Sequence, residues 1–260
     1  MLQRIITGLW GVPLILWSIY LGDQIFFILI FVISGFGLWE FYSLLEKYNY
    51  NPLKLEGIIF GLIYLAFIYL GSRRAITIAL PVLIVVLLIY ELFQKKRRID
   101  DIALTFLGFF YIPFLLSYFL ILRNIPHGDK ICYFTFILIW VSDSFAYFTG
   151  KALGRHPLAP SISPKKTIEG TIGGIIFSAL ASLLFSHLYS WHPFPTFITG
   201  LAVGIMGQLG DLVESMLKRE IGVKDSSSLL PGHGGILDRF DSLIFAGPTV
   251  YYFLNLLRII

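Results

Sequence analysis

Long uncharged runs of apolar residues dominate this sequence and limit what the chain can fold into. Only 14% of its 260 residues are charged and 57% are hydrophobic, whereas a soluble globular domain carries about 25% charged residues. A membrane-spanning helix needs about 20 mostly apolar residues, and nine runs meet or approach that length. These candidate spans lie near residues 4–21, 25–45, 57–72, 75–93, 102–122, 130–150, 170–190, 194–217 and 242–258.

Because the runs are continuous rather than alternating, they favour helices over a β-barrel, the other architecture that satisfies the backbone in lipid. We therefore predict an all-α polytopic membrane protein with about nine transmembrane helices. Two of these, 57–72 and 75–93, are short and separated only by Ser72, Arg73 and Arg74, so the sequence leaves open whether both cross fully. The first run is not followed by a small-residue cleavage site, so we expect a retained helix rather than a signal peptide.

The positive charges predict the orientation, because lysine and arginine accumulate on the cytoplasmic side of membrane proteins. With nine spans and a cytoplasmic N-terminus, 15 of the 20 lysines and arginines face the cytoplasm and 5 face the other side. The same orientation places two longer polar loops, at about 151–169 and 218–241, in the cytoplasm. The cytoplasmic set is Arg4, Lys47, Lys54, Lys95, Lys96, Arg97, Arg98, Lys151, Arg155, Lys165, Lys166, Lys218, Arg219, Lys224 and Arg239, and the opposite set is Arg73, Arg74, Arg123, Lys130 and Arg258.

Ionisable residues inside the predicted spans indicate a functional site, because charge is costly to bury in lipid. Asp143 lies well within the sixth span, and the eighth span ends in a polar stripe. Its residues Asp211, Glu214, Ser215 and Lys218 recur at helical spacing and therefore share one face. We predict an inward-facing wall of two carboxylates, a hydroxyl and an ammonium; the alternative is ordinary polarity at a helix end.

The second cytoplasmic loop combines cations, glycines and acids. It contains a Gly-His-Gly-Gly segment around His233 and an Asp-x-x-Asp pair, Asp238 and Asp241. Glycines let backbone N–H groups approach an anion closely, and carboxylates suit Mg²⁺ bound together with substrate phosphates. The two acids can face one point if the ninth helix begins near them. A loop that serves only to fix topology is the alternative.

The first cytoplasmic loop has a similar character, with Lys165 and Lys166 directly before Thr167. We predict that Thr167 is the N-cap of the seventh span, where a helix N-terminus beside lysines can bind an anion. The alternative is positive-inside anchoring with a routine cap. Pairs of glycines spaced as GxxxG, at 170/174 and 200/204, favour close helix packing. Glu40 is expected to make a polar contact, and we assign it no role.

The C-terminal half of the chain contains a long motif with many fixed polar positions. It reads Ser215-x-Leu217-Lys218-Arg219-x₄-Lys224-Asp225-x-Ser227-x₂-Leu230-Pro231-x-His233-Gly234-Gly235-Ile236-x-Asp238-Arg239-Phe240-Asp241. Shorter segments of the same half are Ser142-Asp143, Gly150-Lys151 and Ser163-Pro164-Lys165-Lys166-Thr167-x-Glu169-Gly170. With these motifs, about residues 140–241 resemble the phosphatidate cytidylyltransferases, also called CDP-diglyceride synthetases. The N-terminal half is similar only in being apolar helices.

The resemblance implies a nucleotidyltransferase that converts CTP and phosphatidic acid to CDP-diacylglycerol and pyrophosphate in phospholipid biosynthesis. It further implies a Mg²⁺ requirement, a second, monovalent cation such as K⁺, and a homodimer in the cytoplasmic (inner) membrane with a site open to the cytosol. No nucleic-acid partner is expected. The residues alone indicate only a cytosol-facing, membrane-embedded site for a metal and a polyanion. We divide the chain into N-terminal transmembrane helices, 1–122, and a catalytic transmembrane region, 123–260.

Roles for individual residues are expectations of the same kind. Metal coordination is assigned to Asp211, Ser215 and Asp238, with Asp143 and Asp241 as further ligands or their supports. Phosphate binding is assigned to Lys166, Lys218, Arg219, Lys224 and Arg239, and phosphate or leaving-group binding to His233, Gly234 and Gly235. Lys165 and Thr167 complete the substrate-binding set, and Asp225 completes the catalytic set.

Two other functions would use some of the same features. A CTP-dependent lipid kinase would also combine membrane helices with a nucleotide-binding loop. A cation-coupled transporter would explain Asp143, Asp211 and Glu214 in a polar interior, but not a glycine-rich loop dense with cations.

The orientation can be tested with single cysteines in a chain carrying Cys132→Ser. We expect Arg97→Cys and Pro160→Cys to react only when a membrane-impermeant thiol reagent reaches the cytosolic side, because both positions lie in cytoplasmic loops. His127→Cys should show the opposite access. Labelling of positions 97 and 160 from outside intact cells would contradict the predicted orientation.

Overall fold

In the computed structural model the chain is almost entirely helical, and residues 2–93, 99–227 and 234–257 are described. A helix occupies each of the nine predicted positions. Ten α-helices, one π-helical turn and two short strands make up the described residues. The helices are α1 (Leu2–Leu21), α2 (Asp23–Lys47), α3 (Lys54–Tyr69), α4 (Arg73–Leu92), α5 (Ile99–Phe109), α6 (Leu115–Asn124), α7 (Gly128–Leu153), α8 (Ile168–Tyr189), α9 (Pro193–Glu220) and α10 (Leu237–Leu257).

Five helical segments among the described residues are long and apolar enough to cross a membrane, which makes the chain an all-α, multi-pass membrane protein. The number of nine spans stays a prediction. Arg73 and Arg74 begin α4 rather than separating it from α3. The five segments are Asp23–Lys47, Ile99–Asn124, Gly128–Leu153, Ile168–Tyr189 and Pro193–Glu220.

The segment Ile99–Asn124 is continuous because a π-helical turn, Phe110–Phe114, joins α5 to α6. Pro113 lies in that turn. Proline cannot donate a backbone hydrogen bond to the carbonyl one turn earlier, and the wider π turn is a common way to accommodate such a break. Pro113 also packs closely against Gly61 of α3, where an added Cβ would lie 2.9 Å from the proline ring.

The chain forms two compact units, the first comprising Met1–Asn124 with Asp225–Arg239 and the second Ile125–Lys224 with Phe240–Ile260. In the first unit, buried Tyr42 packs where Gly57 and Gly108 leave room for its ring, and its hydroxyl donates to the carbonyl of Thr105 at 2.8 Å. Asp101, also buried, accepts the backbone N–H of Asn51 at 2.8 Å. These contacts fix the turn between α2 and α3 against α5.

In the second unit, α7, α8 and α9 pack closely through glycines, as the GxxxG spacing predicts. An added Cβ at Gly174 would lie 2.7 Å from the carbonyl oxygen of Ser142 on α7, and one at Gly204 would lie 3.0 Å from the Cα of Ile175 on α8. At Gly210, an added Cβ would lie 2.6 Å from the carbonyl of Asp241. The backbone of α9 therefore runs directly against its neighbours at the residue before Asp211.

The two predicted cytoplasmic loops are shorter than the sequence suggested, because helices extend into them. Lys151 belongs to α7, Lys218 and Arg219 form the last turn of α9, and α10 begins at Leu237. The first loop also contains an antiparallel hairpin, which the sequence did not predict. Its strands are β1 (Pro157–Ala159) and β2 (Ser163–Thr167), with Pro157 opposite Thr167.

Candidate active site

The polar stripe of α9 forms the centre of a cluster in the second unit. Ser215 Oγ donates to Asp211 Oδ1 at 3.3 Å, and Lys218 forms an ion pair with Glu214. Glu214 is 1% exposed and Lys218 9%, so this pair balances two charges inside the bundle. The predicted shared face is confirmed, with each residue contacting the one that lies a turn away.

Lys166 connects the hairpin to this stripe. Its Nζ atom lies 2.6 Å from Asp211 Oδ2 and is shielded from solvent. The approach to the carboxylate departs from hydrogen-bond geometry, so we describe the contact as an ion pair. Along β2, Lys165 is exposed and Lys166 half-buried. Only the second of the two lysines therefore reaches α9.

The hairpin that carries Lys166 is held at both ends. Thr167 is the N-cap of α8, as predicted, and its Oγ1 accepts the N–H of Gly170 at 3.2 Å. Glu169 accepts the backbone N–H groups of Arg155 and His156 and lies 2.6 Å from His156 Nδ1. These bonds close the base of the hairpin on the first turn of α8, which fixes the position of Lys166.

Arg219 holds the other end of the hairpin. Its Nε donates to the carbonyl of Ile162, in the turn between the strands, and its Nη1 to the carbonyl of Val223, both at 3.0 Å. The guanidinium thus already makes two backbone contacts that the sequence did not suggest. These contacts make Arg219 a support for the hairpin as well as a candidate phosphate ligand.

Two further acids interact with the α9 stripe. Asp241, in the first turns of α10, is half-buried and lies within electrostatic range of Asp211, Asp143 and Lys218. Asp143, on α7, is exposed although it lies near the middle of its apolar helix. The charges of Asp211, Asp143 and Lys218 therefore act on Asp241, and this concentration of negative charge favours a bound cation.

The first unit contains a second cluster, in the signature segment. Asp238 Oδ2 accepts the N–H of Gly235 at 2.7 Å and that of Ser226 at 3.0 Å. The contact with Gly235 reaches back three residues, as in a capping box. Gly234 has a φ of +81°, which a residue with a side chain rarely adopts. Asp238 belongs to the first unit and Asp241 to the second, and that the two acids face one point stays a prediction.

Glu40 of α2 is the residue of this cluster that the sequence reasoning missed. It is fully buried, and its carboxylate accepts hydrogen bonds from signature residues on both sides of positions 228–233. The available signal was a carboxylate between Trp39 and Phe41 in an apolar span, where an ionisable residue indicates a function. The donors are Ser227 Oγ at 2.6 Å, Ser226 Oγ at 3.0 Å, Ile236 N at 2.9 Å and Leu237 N at 2.9 Å.

Some predicted site residues lie outside these contacts. Lys224 and Asp225 are exposed on the segment after α9. Arg239 lies in the first turn of α10. His233 lies outside the described residues, as do positions 228–232.

Within residues 2–93, 99–227 and 234–257, no three His, Cys, Asp or Glu side chains are arranged to hold a metal ion by themselves. Asp211 and Ser215 nevertheless present two oxygen ligands within 3.3 Å of each other. Mg²⁺ commonly binds through one or two carboxylates together with substrate phosphates and water. Aspartate and serine oxygens are suitable protein ligands for such a metal site, and the adjacent Lys166 is suited to binding an anion.

The second unit thus places Asp211 and Ser215 beside Lys166. In the first unit, the carboxylates of Glu40 and Asp238 hold the residues around Gly235. The family model described as the cytidylyltransferase family matches residues 2–257. The chain therefore belongs to the cytidylyltransferase family.

Curated relatives match along nearly the whole chain. The phosphatidate cytidylyltransferase of Bacillus subtilis (strain 168) is 37% identical over 269 residues, which cover 98% of each chain. That of Synechocystis sp. is 35% identical and covers 98% of this chain and 97% of its own. That of Staphylococcus haemolyticus is 38% identical over 219 residues, covering 80% of this chain and 84% of its own. The similarity thus includes the N-terminal helices, which carried no recognisable motif.

Proposed function

We propose that this chain transfers the cytidylyl group of CTP to phosphatidic acid, releasing CDP-diacylglycerol and pyrophosphate. The observation that carries this proposal is the Lys166–Asp211–Ser215 cluster in a chain similar over 98% of its length to relatives named phosphatidate cytidylyltransferase. Such a cluster places groups that can bind a cation beside a group that can bind an anion, as a metal-bound triphosphate requires.

The chemistry explains why lysines, arginines and acids dominate the candidate residues. A phosphate oxygen of phosphatidic acid attacks the α-phosphorus of CTP, a new P–O bond forms, and the bond to the bridging oxygen breaks. Pyrophosphate leaves with that electron pair. The attacking oxygen is already anionic at neutral pH, so no base has to remove a proton. Catalysis then depends on positioning two anions and balancing their charge.

The chain's cations supply that balance. Lys166 is restrained by its ion pair with Asp211, so its ammonium is positioned before a phosphate arrives. Lys218 is held by Glu214 in the same way. The exposed residues Lys165 and Lys224 supply longer-range attraction for the triphosphate or the lipid phosphate. Further phosphate ligands are Arg219, Arg239, His233, Gly234 and Gly235, and Thr167 orients the helix end beside Lys166.

Asp211, Ser215 and Asp238 would hold Mg²⁺, and Asp143 and Asp241 would act as further ligands or restrain them. The ion would neutralise charge on the triphosphate. A second, monovalent cation such as K⁺ would fit the remaining negative charge around Asp241. Asp225, adjacent to the serines that contact Glu40, completes the catalytic set. These assignments rest on the ligand types and on the local contacts of each cluster.

The proposal also includes the membrane location, the oligomeric state and the orientation of the site. We place the enzyme in the cytoplasmic (inner) membrane as a homodimer, with the site open to the cytosol and the diacylglycerol part of phosphatidic acid in the lipid. The uneven lysine and arginine distribution supports this orientation.

Replacing the proposed metal ligands tests the site. Asp211→Asn and Asp238→Asn should each lower the transfer rate by at least about 10²-fold, because an oriented electrostatic contact contributes roughly 3–4 kcal/mol to a transition state. Rates are compared per amount of folded protein, because Asp211→Asn removes the partner of Lys166 and Asp238→Asn weakens the contacts with Ser226 and Gly235. Asp129→Asn, in the first turn of α7, serves as the control and should keep wild-type rates. A purified, folded variant that keeps more than about a tenth of the activity would remove that residue from the site.

Isotopic labelling separates cytidylyl transfer from the CTP-dependent kinase. A lipid alcohol would need a base to remove its proton, whereas a phosphate would not. We expect label in the α-phosphate of CTP to enter the lipid and γ-label to appear in pyrophosphate. Turnover should require a lipid phosphate and fail with diacylglycerol or a polyprenol. Transfer of γ-label to the lipid, with free CDP released, would instead identify a kinase. A transporter would show no nucleotide turnover.

A further inference from the structure

Glu40 lies outside the signature that resembles the family, yet it contacts more of the signature segment than does any residue named so far. We propose that Glu40 is a positioning residue for the transfer reaction, fixing Ser226, Ser227 and the start of α10 for CTP. This inference rests on the proposed function, since CTP is the ligand whose binding it concerns. Glu40 itself need not touch the substrate.

The contacts of Glu40 are distributed evenly over its two oxygens. Oε1 accepts Ser227 Oγ at 2.6 Å and the N–H of Ile236 at 2.9 Å. Oε2 accepts Ser226 Oγ at 3.0 Å and the N–H of Leu237 at 2.9 Å. Each oxygen thus joins one residue before positions 228–233 to one after them. A fully buried carboxylate is stable only when it is hydrogen-bonded in this way.

Space around the carboxylate is also restricted. A Cβ added at Gly235 would overlap Ser226 Oγ and approach the Glu40 carboxylate to within hydrogen-bond distance or less. The signature glycine therefore lets the backbone approach the buried acid closely, in addition to any role toward an anion. Glu40, Ser226 and Gly235 form one interlocking unit.

The contacts of Glu40 also determine the start of α10. Glu40 and Asp238 both connect Ser226 to residues 235–237. The Ile236 and Leu237 N–H groups are also the free donors at the start of α10, so the same carboxylate sets where the helix bearing Asp238 and Arg239 begins.

Glu40→Gln is the sharpest test, because it keeps the shape of the side chain. Whichever way the amide turns, its NH₂ group faces a backbone N–H, of Ile236 or Leu237, that cannot rotate away. We expect the KM for CTP to rise about tenfold or more, while the KM for phosphatidic acid stays within about twofold, since an unsatisfied buried donor is costly. Rates are expressed per amount of folded protein, and that amount is measured by thermal unfolding in detergent.

Limited trypsin digestion of the full chain provides a readout that does not depend on catalytic activity. Cleavage after Lys224 and Arg239 should be faster in Glu40→Gln than in the wild type. Glu46→Gln is the matched control on the same helix, because Glu46 is largely exposed and pairs with Lys54. It should match the wild type in both KM values and in the cleavage rate.

Each outcome decides the proposal. If Glu40→Gln keeps the wild-type KM for CTP and the wild-type cleavage rate, the proposal is overturned. It is also overturned if the variant loses activity only because less protein is folded, with both KM values unchanged. If Glu40→Gln does not fold, Ser227→Ala tests the same anchor, and we expect the KM for CTP to rise about threefold; an unchanged value would overturn the proposal. Absence of cytidylyl transfer in the wild type would instead contradict the proposed function, while the digestion comparison would still test the anchor.

Discussion

The cost of burying charge among apolar helices is the constraint on which the described site depends. An unpaired carboxylate or ammonium at that depth would destabilise the bundle by several kcal/mol, so each one fixes the partner that compensates it. Glu214 fixes Lys218, and Glu40 fixes Ser226, Ser227 and the first N–H groups of α10. The half-buried Asp211 pairs with Lys166 in the same way. The same pairings that make the charges tolerable also bring the candidate catalytic groups into position.

Small residues make these pairings possible. Gly174 and Gly204 allow α7, α8 and α9 to approach almost backbone to backbone, and Gly210 does the same for α9 and α10. In lipid, close packing of this kind is a main source of helix association, since apolar side chains gain little by leaving apolar solvent. The close packing of α9 then places Asp211 and Ser215 at a defined position, as a functional site requires. Stability and function therefore depend on the same helix contacts.

The sequence predicted the helices well, because apolar runs of the required length leave few alternatives in a membrane. It also predicted the Thr167 cap and the shared face of Asp211, Glu214, Ser215 and Lys218, since both are local patterns. The β-hairpin was missed because β1 has three residues and β2 five, too few for a visible alternation. Glu40 received no role because its partners lie 186 to 197 residues away, and no local pattern indicates such a contact.

The central claim is that Asp211 and Ser215 hold the metal of a metal–CTP complex beside Lys166. A structure of the full chain with Mg²⁺ and CTP bound tests this most directly. We expect the metal to lie roughly 2.0–2.1 Å from an oxygen of Asp211 and from Ser215 Oγ, with Lys166 Nζ in contact with a phosphate oxygen. Metal and triphosphate bound together at other side chains, with Lys166 still paired to Asp211, would contradict the account.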